Sequence, residues 1–329
     1  MSFKDTATIL IMGVAIGLAA AAAVRMQPPK ETIPAKMTCL LETKHHDDTT
    51  KSRITGYNYH LLRSYAASRG IRMHIRLVED GENAPDSLRA GAADLVVVPF
   101  GKVPEMEDAR HSIPVDSTAY WMVRQDRRHL LKDIDKWLLN YNLSDSCKTL
   151  HKKFLNTYNP YRVKEERDFL SPYDDLIRTN ADSLGWDWRL LAAVIYKESH
   201  FSISVRSHRG AVGIMQVRPM TADRLGVDDL LDPVVNIHTG TRYLRKINYM
   251  FRDIEDPAQR IKMTLAGYNA GENRIQSCRE FAREKGYDGN SWDDIVSLIP
   301  EMENFKGTET IAYIEDVDSL YRQFTRICP

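Results

Sequence analysis

The stretch Leu190–Pro219, "LLAAVIYKESHFSISVRSHRGAVGIMQVRP", holds one acidic residue, Glu198, and the next carboxylate along the chain is Asp223. On a helix, Leu191, Val194, Ile195 and Glu198 share one face at i, i+3, i+4 and i+7. The carboxyl therefore continues an apolar stripe instead of breaking it. Burial disfavours the charged form and raises the pKa, which is what a general acid needs near neutral pH. Lys197 projects about 100° away and does not offset the charge on that face. Taken alone, Glu198 also reads as a structural carboxylate paired with a distant arginine. The residues downstream favour chemistry. Gly210 and Gly213 in "GAVGIMQV" bracket a tight segment where the backbone can approach a ligand closely. Met215 offers an apolar contact, and Gln216 an amide suited to a hydroxyl or acetamido group. Further on, "AGYNAG" sets Tyr268 and Asn269 at a helix end before Gly271.

Outward from this stretch, the second half of the chain reads as helical. "SPYDDLIRTNADSLGWDWRLLAAVIYKES", "PMTADRLG", "NIHTGTRYLRKINYMF", "AQRIKMTLAGYNAG", "ENRIQSCREFAREKG" and "TIAYIEDVDSLYRQFTRI" all carry helical spacing. Ile261, Leu265 and Tyr268 form one stripe; Val317, Leu320, Tyr321 and Phe324 form another. The first half differs. "TCLLET", the alternating "RMHIRLVE", the continuous apolar "ADLVVVP" and "AYWMVRQD" read as strands. "YNYHLLRSYAASRG", closed by Gly70, reads as a helix, and so does "APDSLRAG", with Pro85 near its start and Gly91 past its end. "LLKDIDKWLLNYN" and "SCKTLHKKFLNTY" complete the helices of this half. Alternating strands and helices imply an α/β unit with a largely parallel sheet. The expectation is an α+β chain of two domains. Residues 1–36 are a leader and linker, 37–159 an α/β domain, and 160–329 an all-α domain.

The 329 residues suffice for about two domains. Lys plus Arg and Asp plus Glu number 45 each, for a net charge of +0, which argues against nucleic acid or an anionic membrane surface as the main partner. Ala7–Val24, "ATILIMGVAIGLAAAAAV", is an apolar run ending at Arg25. It reads as a cleavable export signal or a short membrane anchor. In an exported chain, Cys39, Cys147, Cys278 and Cys328 form an even set open to disulfides. Of the three pairings, Cys39–Cys147 with Cys278–Cys328 keeps each bridge within one half and is the expected one. Free buried thiols are the other reading, and the spacing does not suit zinc.

Together, "YKESHF", "GAVGIMQVRPMTA", "DPVVNIHTGTRYL" and "LAGYNAG" resemble the lytic transglycosylase (SLT) domain of the lysozyme superfamily, the glycoside hydrolase family 23 type. The resemblance covers Leu170 to Cys328. It is nearest to the membrane-bound murein members, in which a solute-binding-like domain precedes the catalytic one. It implies a lysozyme-like fold for residues 160–329 and Glu198 as the catalytic acid/base. Ser199 holds the helix turn in the Glu-Ser signature, and Ser207 contacts substrate near the scissile bond. Met215 and Gln216 line the saccharide groove. Tyr268 and Asn269 match the Tyr-Asn pair, with the tyrosine near the carboxyl. Gly267 stands where the family usually has Ala. His200 and His208 are given no role. The front segment resembles the solute-binding-like domain, but with about 20 residues between "ADLVVVP" and "AYWMVRQD" the second lobe is missing and a single lobe is expected.

Most glycosidases flank the scissile bond with two carboxylates. None lies between Ser199 and Ala222, leaving Asp223 or remote acids. The family mechanism needs only one. The acid protonates the glycosidic oxygen between N-acetylmuramic acid and N-acetylglucosamine, and the muramoyl C6 hydroxyl closes onto C1 as a 1,6-anhydro end. No metal or cofactor is implied. The implied partners are peptidoglycan glycan strands, cell-wall peptide or a protein at the front domain, and a membrane if the leader is uncleaved. The location is the bacterial periplasm or cell envelope. A goose-type muramidase using water, a non-catalytic wall-binding protein and a cargo-sensing receptor are the competing readings.

Overall fold

The computed structural model describes residues 33–42, 49–78, 81–101, 105–161, 166–303 and 305–329. The apolar run at 7–24 and most of the linker after it lie outside these residues. Among the described residues, no helix is long and apolar enough to cross a membrane.

The chain is α+β, with a small sheet in its first part and helices after it. β1 (Lys36–Leu41), β2 (Arg72–Leu77), β3 (Leu95–Pro99), β4 (Ala109–His111) and β5 (Ala119–Arg124) form a sheet in the order β2-β1-β3-β5-β4. β1 runs parallel to β2 and β3, as the βαβ pattern predicted. β5 lies antiparallel to β3, and β4 antiparallel to β5. The sheet is therefore mixed rather than largely parallel. A parallel return needs a crossover, usually a helix. The segment between β3 and β5 holds the short strand β4, which no alternating pattern announced, and so the chain turns back on itself. Asp116 and Ser117 make that turn at φ 44° and 58°.

α1 (Thr49–Arg69) ends at Gly70, whose φ of 65° is the left-handed stop expected of glycine. α2 (Ala84–Arg89) is capped by Asn83, which accepts from the Asp86 N–H. α3 (Arg128–Asn142) and α4 (Asp145–Leu155) follow the sheet. The rest is helical: α5 (Asp174–Asp182), α6 (Trp188–Ser199), α7 (Pro219–Leu225), α8 (Pro233–Met250), α9 (Pro257–Ala270), α10 (Glu272–Glu284), α11 (Trp292–Leu298) and α12 (Thr308–Ile327). The predicted helical stretch 171–199 divides into α5 and α6 at Gly185, with φ 67°, and Asp187 caps α6.

One buried cluster runs from Met37 on β1 to Cys328, through α1, α3 and the α6–α12 pair. A smaller one, around Leu40, Leu88, Val96 and Met122, lies on the other face of the sheet beneath α2. The two parts meet through aromatics. Tyr158 packs edge-on to Tyr196 and Phe324, with ring centroids 4.9 and 4.8 Å away, and Phe154 meets Tyr173 at 5.9 Å. Arg63 on α1 pairs with Asp232 at 2.5 Å, and the other oxygen of Asp232 caps α8.

The disulfide expectation fails. All four cysteines are buried free thiols. α1 packs against both β1, which carries Cys39, and α4, which carries Cys147; α9 packs against both α10, which carries Cys278, and α12, which Cys328 follows. Cys147 instead lies 3.5 Å from the Tyr57 hydroxyl. Burial pushes the Cys278 thiol up to about 11, so it holds little thiolate at neutral pH.

Candidate active site

α6 is apolar almost all round; Leu191, Val194 and Ile195 are fully buried, and Glu198 extends their stripe to the edge of an open groove. The residue reaches the groove, but its carboxyl is enclosed. Burial pushes it up to about 7, while the Tyr313 hydroxyl and the charges of Lys197 and Arg218 pull the other way. Tyr313 on α12 donates to Oε1 of Glu198 at 2.7 Å. The Tyr313 phenol is itself held well above its usual range by burial and the nearby carboxylate, so it remains a donor. This residue was missed in the sequence, although it stands one turn before Val317 on the α12 stripe.

The chain turns sharply after α6, with His200 and Phe201 at φ 53° and 63°. The Ser199 hydroxyl donates to the carbonyl of Ile214 at 2.6 Å and of Ile195 at 3.3 Å. It thus ties the helix end to the next loop. His200 stacks edge-on against Tyr196 at 4.7 Å and takes no part in the groove.

The loop from Val205 to Val217 is built around Asn236, a fully buried residue of α8. The Asn236 amide nitrogen donates to Val212 and Leu230 carbonyls at 2.9 and 2.8 Å, and its oxygen accepts from Met215 N–H at 2.9 Å. Gly213 sits at φ 80° against this amide, and an added Cβ would lie 2.3 Å from Nδ2. The glycine thus serves close approach of loop to helix, not of loop to ligand. Gly210, at φ 77°, only completes the turn.

Met215 departs from expectation. It was predicted to line the groove, yet its side chain is fully buried and packs over Gly240, where a Cβ would meet its sulfur at 2.6 Å. The void left by glycine on α8 draws the thioether inward. What Met215 gives the site is its carbonyl, which accepts the Tyr268 hydroxyl at 2.7 Å. Gln216, at φ 50°, does line the groove. Its amide nitrogen donates to Val205 and Gly213 carbonyls at 3.0 and 2.9 Å, which fixes the amide and leaves its oxygen as the atom available to a ligand.

The groove has a volume of about 840 Å³ and brings together Glu198, Ser207, Gln216, Tyr268 and Asn269. Ser207 is held by a reciprocal pair, its N–H to Ala211 O at 2.9 Å and its Oγ accepting from Ala211 N–H at 3.0 Å. Asn269 accepts from Thr310 at 2.8 Å, which ties α9 to α12 beside Tyr313. Burial, the charge of Glu198 and Tyr243 hold the Tyr268 phenol well above its usual range. Asp223 is not among the lining residues; among the described residues, the lining carboxylate besides Glu198 is Glu309, exposed on the first turn of α12. Among the described residues, no three His, Cys, Asp or Glu side chains gather as a metal-binding set. Chemically, the groove offers one carboxyl that exchanges a proton near neutral pH, beside fixed hydrogen-bonding groups.

Residues 175–290 match the family model of the transglycosylase SLT domain. The chain is 30% identical over 234 residues to the membrane-bound lytic murein transglycosylase F of Desulfosudis oleivorans, covering 65% of this chain and 52% of that protein. It is 31% identical over 243 residues to the membrane-bound lytic murein transglycosylase F 1 of Alkalilimnicola ehrlichii, covering 68% and 49%. The chain thus spans about half the length of the curated relatives it matches. Among solved structures, the 70 kDa soluble lytic transglycosylase of Escherichia coli is 27% identical, over 48% of this chain and 25% of that one, with a TM-score of 0.36.

Proposed function

We propose that the chain is a peptidoglycan lytic transglycosylase with Glu198 as its single acid/base. The observation that carries the reading is the enclosed Glu198 carboxyl, held near a pKa of about 7 and bonded to Tyr313 at the edge of a groove. In its protonated form Glu198 gives its proton to the glycosidic oxygen between N-acetylmuramic acid and N-acetylglucosamine, and the C1–O bond breaks. The substrate's acetamido group stabilises the positive charge that develops at C1. The glutamate then takes the proton of the muramoyl C6 hydroxyl, whose oxygen closes onto C1 as the 1,6-anhydro ring. The carboxyl regains its proton and no water is consumed. Gln216, Ser207, Tyr268 and Asn269 position the sugar. The pKa suits both halves of the cycle, because a group poised near the working pH can give and retake a proton.

Residues 160–329 are read as the lysozyme-like domain and 37–159 as a single-lobe solute-binding-like domain that engages cell-wall peptide or an envelope protein. Residues 1–36 are read as a signal or anchor and a linker, the signal delivering the chain to the bacterial periplasm or cell envelope. Digestion of purified sacculi tests the reaction. Products ending in 1,6-anhydromuramoyl residues, each one water lighter than muramidase products, are expected. Glu198→Gln is expected to lose about 10²–10⁴-fold in turnover. Reducing ends instead would make the protein a hydrolase of the same bond, and full activity in the variant would remove Glu198 from the mechanism.

A further inference from the structure

A second cavity, of about 310 Å³, opens between α5 and α8. It shares no lining residue with the groove that holds Glu198. Small-molecule sites span about 300–1,000 Å³, and this one falls at the small end. The two helices give it opposite chemistries. α8 supplies His238, Arg242 and Arg245, which recur at i, i+4 and i+7 and so share one face. All three donate hydrogen bonds, and guanidinium forks match the oxygens of a phosphate. α5 and its C-cap supply Thr179, Asn180 and Ser183. Each already donates to a nearby carbonyl: Thr179 to Asp175 O at 3.0 Å, Asn180 to Leu176 O at 2.9 Å and Ser183 to Asn180 O at 2.7 Å. That leaves two hydroxyl oxygens and one amide oxygen as acceptors on this wall. Among the described residues no Asp or Glu lines the cavity, and Asp175 and Asp182 of α5 stay outside it.

Thr241 of α8 also lines the cavity and is 2% exposed. Thr239 and Thr264 give their hydroxyl protons to the carbonyl four residues back, at 2.7 and 2.8 Å. Among the described residues, Thr241 has just the Met215 sulfur, at 3.9 Å, and a thioether is a weak acceptor. Buried hydroxyls are ordinarily satisfied, so this cavity holds a polar group short of a partner. Through Met215, whose carbonyl accepts from Tyr268 at 2.7 Å, Thr241 stands at the back of the loop that carries Gln216.

We propose that this cavity binds a small phosphate-bearing solute, with the phosphate on His238, Arg242 and Arg245. In a phosphorylated sugar, the hydroxyls of the ring donate to Thr179, Asn180 and Ser183, and Thr241 bonds the ligand between the two walls. Free phosphate brings the same anion without the ring. A neutral sugar answers α5 alone.

Calorimetric titration of the full chain tests the site with glucose 6-phosphate, inorganic phosphate, glucose and glucuronate. Saturable binding of the hexose phosphate is expected, about tenfold tighter than glucose. Arg242→Gln together with Arg245→Gln is expected to weaken it by about tenfold or more, the scale of a lost hydrogen bond to a charged group. Thr241→Val keeps the side chain's size, removes its hydroxyl and is expected to weaken binding by about three- to fivefold. The ligand should raise the Tm of the wild type and leave that of the double variant in place; the same melts show that each variant is folded. A hexose phosphate that binds more tightly than inorganic phosphate, and loses that margin in Ser183→Ala, assigns the ligand to the phosphorylated sugars. Equal affinity for the two assigns it to free phosphate. Three results overturn the proposal: no saturable binding of either phosphate up to about 10 mM, glucuronate binding as tightly as the hexose phosphate, or binding indifferent to the paired arginine substitutions in folded protein.

Discussion

Glu198 draws its proton affinity from two opposed surroundings. The apolar face of α6 raises it, and the Tyr313 hydroxyl, donating at 2.7 Å, holds it down. A hydrogen bond to an ionised group is worth about 1.5–3 kcal/mol, and one pKa unit about 1.36 kcal/mol. Tyr313→Phe removes the group that favours the carboxylate, so the carboxyl should keep its proton to higher pH. In the wild type, the protonated form of Glu198 is lost as pH rises through about 7. In the variant, the alkaline limb of kcat/KM against pH is expected to move up by about one unit, with the protein still folded. A limb that stays in place would mean the phenol does not tune the acid. Glu198 was legible because its helical neighbours are aliphatic. Tyr313 was not, because one helix's spacing says that a phenol is buried but not which side chain from another helix it meets.

At the scale of elements, the site depends on how a loop without regular structure is held against α8. Asn236 makes three hydrogen bonds there, to Val212 O, Leu230 O and Met215 N–H. Asn236→Ala leaves all three backbone groups without that partner and opens a small void. With each unsatisfied buried group costing about 1–3 kcal/mol and part of the loss relaxed by water, a destabilisation of about 2–4 kcal/mol is expected in denaturant unfolding. A change below ~1 kcal/mol would show that the loop does not lean on this amide. The same packing explains the Met215 error. The family resemblance placed it beside Gln216 in the groove, but the positive φ of Gln216 turns successive side chains apart, and Gly240 offers the thioether a buried seat. The single-residue signals, glycine and polar groups in a tight loop, were readable; the partner helix that gave them meaning was not.

Across the whole molecule, the sheet part and the helical part share one buried cluster. Tyr158 stands at the seam, fully buried, packed on Tyr196 and Phe324, with its hydroxyl 2.8 Å from Gln323 Oε1. Tyr158→Ala is expected to cost about 3–5 kcal/mol, the range for deleting a buried aromatic ring. Because the cluster is continuous, calorimetry of the wild type should show one cooperative transition rather than two. Two well-separated transitions, with Tyr158→Ala moving just one of them, would show that the parts fold independently.

The strands and helices of the first part, the run of helices after β5 and the lone carboxylate at the end of an apolar helix were set by local chemistry. Hydrophobic period, glycine stops and a lone carboxylate on an apolar face act within a few residues of one another, and a chain read from end to end displays them. The antiparallel return through β4, the burial of the four cysteines as free thiols, the inward turn of Met215 and the hold of Tyr313 on Glu198 were decided only by tertiary structure. Each depends on which of several similar apolar surfaces meet, and that choice is made by the volume and hydrogen bonds of residues far apart in sequence.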